Sequence, residues 1–355
     1  MNVTQVLKGR GAVSNPAGRF ERAPSVAVHD GWDRPEDEDF PSLSPETTFL
    51  PDKTRNIIAT NNSPDVPFEQ SINPYKGCEH GCIYCYARPT HAFLDLSPGL
   101  DFETKIFYKT DPVERLLEAL DKPGYVCRTL ALGTNTDPYQ PGEKELKVTR
   151  RLLETLLDCR HPVSIVTKGA LIVRDLDILG ELADLGLVSV GVSITTLDNE
   201  LKTKLEPRTA SPGARLRMVR ELKAAGVPVG IMMAPVIPFI NDHEIETVVE
   251  GAAQAGAEFA GYVMLRLPFE VKDLFVEWLQ EHYPLKAEHV MSRVREMRGG
   301  KAYQAEWGTR MRGQGVYADL IAKRFEVARR KYGLDVSRRA ELRTDLFRRG
   351  QGMLF

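Results

Sequence analysis

FEQSINPYKGCEHGCIYCYAR, residues 68–88, opens as a strand over Phe68 to Asn73 and runs directly into a loop of cysteines and glycines. A doubly wound nucleotide-binding sheet would carry G-x-G-x-x-G at this place, and it is absent. From here the chain alternates strand-like runs with helical patterns as far as Pro268, which points to βα units around a parallel sheet. Further strands are expected over Thr129 to Thr134, Val163 to Thr167, Val188 to Thr195, Val227 to Val236 and Phe259 to Leu267. A helix is expected from Asn241, with Glu244 completing a capping-box pattern and Ile245, Val248, Val249 and Ala252 sharing one face. A complete eight-unit barrel takes about 250 residues, so residues 68–268 accommodate about six units. The expected fold is α/β, a partial (β/α)6 TIM-like barrel. The extended stretch Phe102 to Lys109 has no place in it and reads as an insertion.

Residues 1–67 form an irregular N-terminal arm, with eight prolines and the acidic run Glu36 to Asp39. Residues 269–355 form a basic, mostly helical C-terminal extension. Across 355 residues, 47 basic and 49 acidic side chains leave a net charge of -2, so the whole surface is not built to attract a polyanion. Residues 291–355, however, hold 16 Lys and Arg against 7 Asp and Glu. Tyr303, Trp307 and Tyr317 alternate there with Arg310 and Arg312, a mixture able to stack bases and pair phosphates. Against that, Tyr317, Ile321, Phe325, Ala328 and Tyr332 form a helical stripe suited to packing on the barrel, with Lys323, Arg324 and Arg330 solvated.

The N-terminus has no apolar signal-peptide core, although a transit peptide is less easily excluded. The longest apolar stretch, residues 224–240, contains Pro228, Pro235 and Pro238 and reads as a buried strand rather than a membrane span. With five cysteines and no disulfide-like spacing, a reducing, cytoplasmic setting and no membrane partner are expected.

Cys78, Cys82 and Cys85 stand at C-x3-C-x2-C spacing, which suits a shared metal centre. Three thiolates on a [4Fe-4S] cube leave one iron open to a chelating ligand. Gly77 and Gly81 supply the positive φ that a tight loop needs. The alternative is a non-catalytic iron–sulfur or zinc-binding module, in which His80 or His91 completes a Cys3His site. Zinc modules usually pair two short knuckles, and no second C-x2-C exists. Cys127 and Cys159 read as small buried hydrophobes.

This motif, following a strand and preceding a helix, resembles the radical S-adenosylmethionine superfamily, whose members favour an aromatic residue at the position of Tyr84. The runs SINPYKGCEHGCIYCYARPTH, GTNTDPYQPGE, SITTLDNELKTKLEPR and YVMLRLP are most similar to the branch grouped with spore photoproduct lyase as DNA repair photolyase-like proteins. The likeness spans most of residues 57–335. It implies that the open iron binds S-adenosylmethionine, that an electron donor reduces the cluster, and that cleavage yields a 5'-deoxyadenosyl radical acting on a substrate. It leaves the reaction open between lyase-type repair and modification of nucleic acid or protein.

The resemblance also implies cofactor contacts at the strand ends: Thr134, Thr136 and Asp137 after the second strand, Ser193 and Arg208 after the fourth, and Val236 on the fifth. Arg215 is the alternative to Arg208, and Lys168 and Arg266 are strand-end cations that could face a charged substrate. One departure stands out. Where the lyase carries a cysteine hydrogen donor, this chain falls at or beside Gly133.

Overall fold

The computed structural model describes residues 7–20, 46–334 and 341–349. The acidic run Glu36 to Asp39 lies outside them. Ten strands form two sheets: β1 Thr48–Asp52, β2 Ile58–Thr60, β3 Gln70–Ile72, β4 Tyr75–Lys76, β5 Lys105–Lys109, β6 Leu130–Leu132, β7 Val163–Thr167, β8 Val188–Ser193, β9 Val229–Val236 and β10 Phe259–Met264. The larger sheet runs β10-β9-β8-β7-β6-β3-β2. Its six strands from β3 to β10 are parallel throughout, and β2 adds antiparallel to the outer side of β3. Among the described residues β10 and β2 do not pair, so the sheet is an open, six-unit α/β arrangement.

The central strands are near-continuous apolar runs because helices shield them from solvent. Every residue of β8 is buried. The helices over 148–158, 176–184, 212–224 and 245–254 bury their apolar stripes against the sheet in one large core. Local chemistry sets their starts: Pro212 occupies the first turn of 212–224, and Ser211 Oγ accepts from Ala214 N at 3.2 Å. The expected capping box does not form. Asn241 Oδ1 accepts from Ile237 N at 2.6 Å, while its Nδ2 donates to Thr195 O and Pro235 O. Glu244 reaches to Thr196 Oγ1 and Leu197 N. Both side chains tie strand ends together, a demand stronger than capping one helix.

Two further expectations need correction. The arm is not wholly irregular, since it supplies β1 and β2. The 102–109 stretch splits into a short helix, Leu100–Thr104, and β5, which pairs with β1 and β4 in a small separate sheet. Several strands also end earlier than expected, because the chain turns toward the site as soon as the ladder stops.

The C-terminal helices cover 271–282, 287–296 and 316–331. The last packs on the 245–254 helix through Ile321, Phe325 and Ala328, so the stripe is a core face. The basic side chains near it are largely paired: Arg324 with Glu246, Arg330 with Glu326, and Arg310 with Asp65. Tyr317 donates to Asp242. No helix among the described residues is long and apolar enough to cross a membrane.

Phe325 is 3% exposed and packs at a tilt against the Tyr262 ring, with centroids 4.8 Å apart. Phe325→Ala should therefore destabilise the protein by about 3–4 kcal/mol. A urea titration following tryptophan fluorescence measures it; an unchanged midpoint would show the helix to be peripheral.

Candidate active site around the cysteine loop

The cysteine loop lies at the C-terminal end of β3, the face on which parallel barrels place their chemistry. Gly77 and Gly81 have φ of +81° and +66°. A Cβ at Gly77 would come within 2.8 Å of His91, and one at Gly81 within 2.7 Å of Glu103, so neither tolerates a side chain. Cys78 N donates to Phe102 O at 2.9 Å, and Cys85 N to Cys82 O at 3.2 Å. All three cysteines are free, with Cys78 and Cys82 buried and Cys85 half-buried.

Buried ion pairs hold this loop from behind. Arg88, fully buried, donates to Cys82 O, Gly81 O, Pro98 O and Gly99 O and pairs with Glu103. Glu103 in turn accepts from Gly11 N at 3.0 Å and Ala12 N at 2.9 Å, which pins the N-terminal strap onto the loop. Glu79 is held by Gly142 N and by Arg208, at 2.7 and 3.0 Å. In front, Glu206 accepts from Thr195 Oγ1 at 2.6 Å and from Tyr84 OH, and pairs with the buried Arg215. Lys168 Nζ sits 5.9 Å from the Tyr84 ring centre.

The electrostatics follow from burial. Burial pushes the Cys82 thiol up to about 12 and Cys78 well above its ordinary value, where Asp137 and the neighbouring thiols add to the effect. Such thiols ionise only with a cation in place, so metal loading would release protons. Burial opposes ionisation of Glu206 and Asp137 as well. Arg215 and Lys168 outweigh it at Glu206, and His80, Thr167 and the Lys168 amide outweigh it at Asp137, leaving both near 2.

The cofactor-contact candidates gather at this face but are largely engaged within the fold. Thr134 Oγ1 donates to Asn73 Oδ1 and Thr136 Oγ1 to Tyr75 O. Asp137 accepts from Thr167 Oγ1 and from the backbone of Tyr139 and Lys168, and His80 Nδ1 lies 3.3 Å away. Ser193 O accepts from Arg215, and Val236 O from Leu265 N. Arg215, the alternative to Arg208, is committed to Glu206, Thr209, Ser193 and Ala210. Sequence reasoning missed Glu103, Glu79 and the Gly11–Ala12 strap. No periodicity or spacing along the sequence marks these partners.

The donor set suits a cluster: three free thiols, none in a disulfide, on one glycine-shaped loop. It fits zinc poorly. His80 Nδ1 faces Asp137, and His91 Nε2 lies 3.0 Å from Lys105 O, so each histidine has a ring nitrogen turned to another partner. At Gly133, with φ +88°, a Cβ would fall 2.1 Å from Val166 O, so that position is closed to any side chain.

A family model described as the Radical SAM superfamily matches residues 72–252. An uncharacterized protein of Mycobacterium tuberculosis (strain ATCC 25618 / H37Rv) is 38% identical over 238 residues, covering 66% of this chain and 69% of the relative. One from Methanocaldococcus jannaschii is 27% identical over 223 residues, 63% of this chain and 80% of the other. Among solved structures, spore photoproduct lyase complexed with dinucleoside spore photoproduct superposes with a TM-score of 0.55 at 17% identity, covering 80% of this chain and 78% of that one. That likeness is one of fold.

Two expectations test the site. Glu206 has its folded-state value depressed below the ordinary 4.5, so its contribution to stability is present above that value and lost as pH falls toward 2. Urea midpoints from pH 6 to pH 2 should fall most steeply below about pH 4.5. In Glu206→Gln that part of the slope should shrink, and the uncompensated Arg215 should cost about 3–5 kcal/mol. A neutral effect would mean Arg215 is served by its other partners. Separately, a Cβ at Gly11 would lie 1.7 Å from Gly81 O. Gly11→Val should therefore release the strap and speed iodoacetamide labelling of Cys78 and Cys82 in cluster-free protein; wild-type labelling rates would disconnect strap from loop.

Proposed function

Since the chain belongs to the radical SAM superfamily and is an enzyme of that class, we propose that Cys78, Cys82 and Cys85 hold a [4Fe-4S] cluster with S-adenosylmethionine on its open iron. The observation carrying this reading is the placement of three free thiols on one short loop that only glycine can shape, at the C-terminal end of six parallel strands. When bound, the cluster supplies one electron, from an external donor, for reductive cleavage of S-adenosylmethionine.

The chain's own part is positional and electrostatic. Arg88 fixes the loop carbonyls of Gly81 and Cys82. The Asp137 amide is directed at the Cys78 sulfur, a contact that stabilises thiolate. Lys168, held above its usual value by Cys82 and Glu206 against the effect of burial, keeps a positive charge beside the cysteines where an anionic carboxylate is to be held. Ile83, Leu201, Leu205 and Leu265 form an apolar wall that excludes water from one side. With Gly133 closed to a side chain and flanked by Leu132 and Thr134, no thiol stands at or beside the position where the resemblance would put the lyase's cysteine. We assign the enzyme a reaction that does not use a thiol at that strand end.

Anaerobically reconstituted protein should give an EPR signal on reduction, altered by S-adenosylmethionine, and should release 5'-deoxyadenosine. Cys78→Ala, Cys82→Ala and Cys85→Ala should each abolish the signal. Stoichiometric zinc with no reconstitutable cluster would refute the proposal.

A further inference from the structure

Arg266 lies two residues beyond β10, on the same face as the cysteine loop. Its guanidinium carbon is 5.2 Å from the ring centre of Tyr86, the residue after Cys85. That ring is 45% exposed, so this edge of the site opens to solvent. Arg266 is poorly served by the fold. Its Nε has no hydrogen-bond partner among the described residues, and its terminal nitrogens reach only Met311 Sδ and Tyr303 OH, both at 3.5 Å.

Beside it stands a second guanidinium. Arg298 is 1% exposed and donates to Leu265 O, Thr309 O and Arg310 O, folding the 298–312 loop over the strand end. Its Nε is likewise without a partner among the described residues. Burial, then the Arg266 charge, brings Arg298 down to about 10. Among the described residues neither arginine is ion-paired to a carboxylate. Two neighbouring cations withdrawn from water without an acid are costly unless an anion joins them.

A cavity of about 300 Å³ is lined by Arg298, Lys301, Tyr303, Gln304 and Glu306; Arg266 stands outside that lining and meets it at Tyr303, whose hydroxyl it reaches at 3.5 Å. Glu306 is its one carboxylate, and it is already engaged by Gln304 Nε2 at 2.8 Å. Arg298 and Lys301 against Glu306 leave one positive charge in the lining, and Arg266 behind Tyr303 adds a second, an excess that matches the charge of a phosphate monoester better than that of a carboxylate. The planar fork of Arg266 suits tetrahedral oxyanions.

We infer that Arg266, Arg298 and Lys301 form a binding site for a phosphate group carried by the substrate, whose reacting part then lies over Tyr86 beside Cys85. The assignment of substrate here rests on the radical SAM reading above, but the site itself does not require a cluster. Both arginines and the loop lie beyond the segment that matches the family model.

The probe is inorganic phosphate, measured by equilibrium dialysis with radiolabelled phosphate on full-length reconstituted protein, against acetate at equal ionic strength. Wild type should show saturable binding that acetate does not displace. Arg266→Gln should weaken it by about tenfold, and Arg266→Lys should fall between because it keeps charge but loses the fork. Lys301→Gln changes an exposed side chain with no burden on folding and should also weaken binding. No saturable binding in wild type, equal displacement by acetate, or unchanged binding in both Arg266→Gln and Lys301→Gln would overturn the site. The cluster is scored by EPR on the same samples. Phosphate binding lost with the cluster present defeats this site alone; binding retained without a reconstitutable cluster defeats the radical reading and leaves the site standing.

Discussion

The ion pair between Arg88 and Glu103 is the interaction on which the site depends. Both side chains are fully buried, and each spends its remaining hydrogen-bonding capacity on backbone: Arg88 on four carbonyls around the cysteine loop, Glu103 on the Gly11 and Ala12 amides. A buried pair of this kind adds little net stability over an apolar substitute, but breaking it strands a charge in the interior. What it contributes is specificity of conformation. A loop dense in glycine has many accessible shapes, and here one of them is selected by a guanidinium with five directed donors.

The front of the site repeats the device with different partners. Glu206 gathers Tyr84, Thr195 and Arg215, so the aromatic residue between the second and third cysteines is oriented by its hydroxyl rather than by packing alone. Glu79 does the same for Arg208 and Gly142. Three carboxylates, Glu79 within the loop and Glu103 and Glu206 from outside it, thus hold one loop, each with an arginine. The surroundings are set before any cofactor arrives, which lowers the reorganisation needed when charge changes at the centre.

The C-terminal extension is divided in its roles. Helix 316–331 is a core element whose Arg324 and Arg330 are ion-paired on the surface, while the 298–312 loop brings cations to the edge of the active face. Basic composition over residues 291–355 therefore does not act as one patch. Arg310, which the sequence places among aromatic residues as though for stacking, is held by Asp65 and Ser63 of the arm.

The chain of amino acids by itself determined the parallel α/β class, the six main strands, the cysteine loop with its two positive-φ glycines, and the buried stripe of the last helix. These are local properties, written in periodicity, in spacing and in the singular conformational freedom of glycine. Only the tertiary structure decided the partners of polar side chains. Asn241 and Glu244 abandon a capping box for strand-end carbonyls and amides, Asp137 turns toward His80, and Gly11 meets Gly81 across seventy residues of chain. The small sheet of β1, β4 and β5 escaped notice for the same reason, since its strands are short and joined across distant segments. A hydrogen bond or ion pair depends on where two groups meet in space, and no periodicity along the chain encodes that meeting.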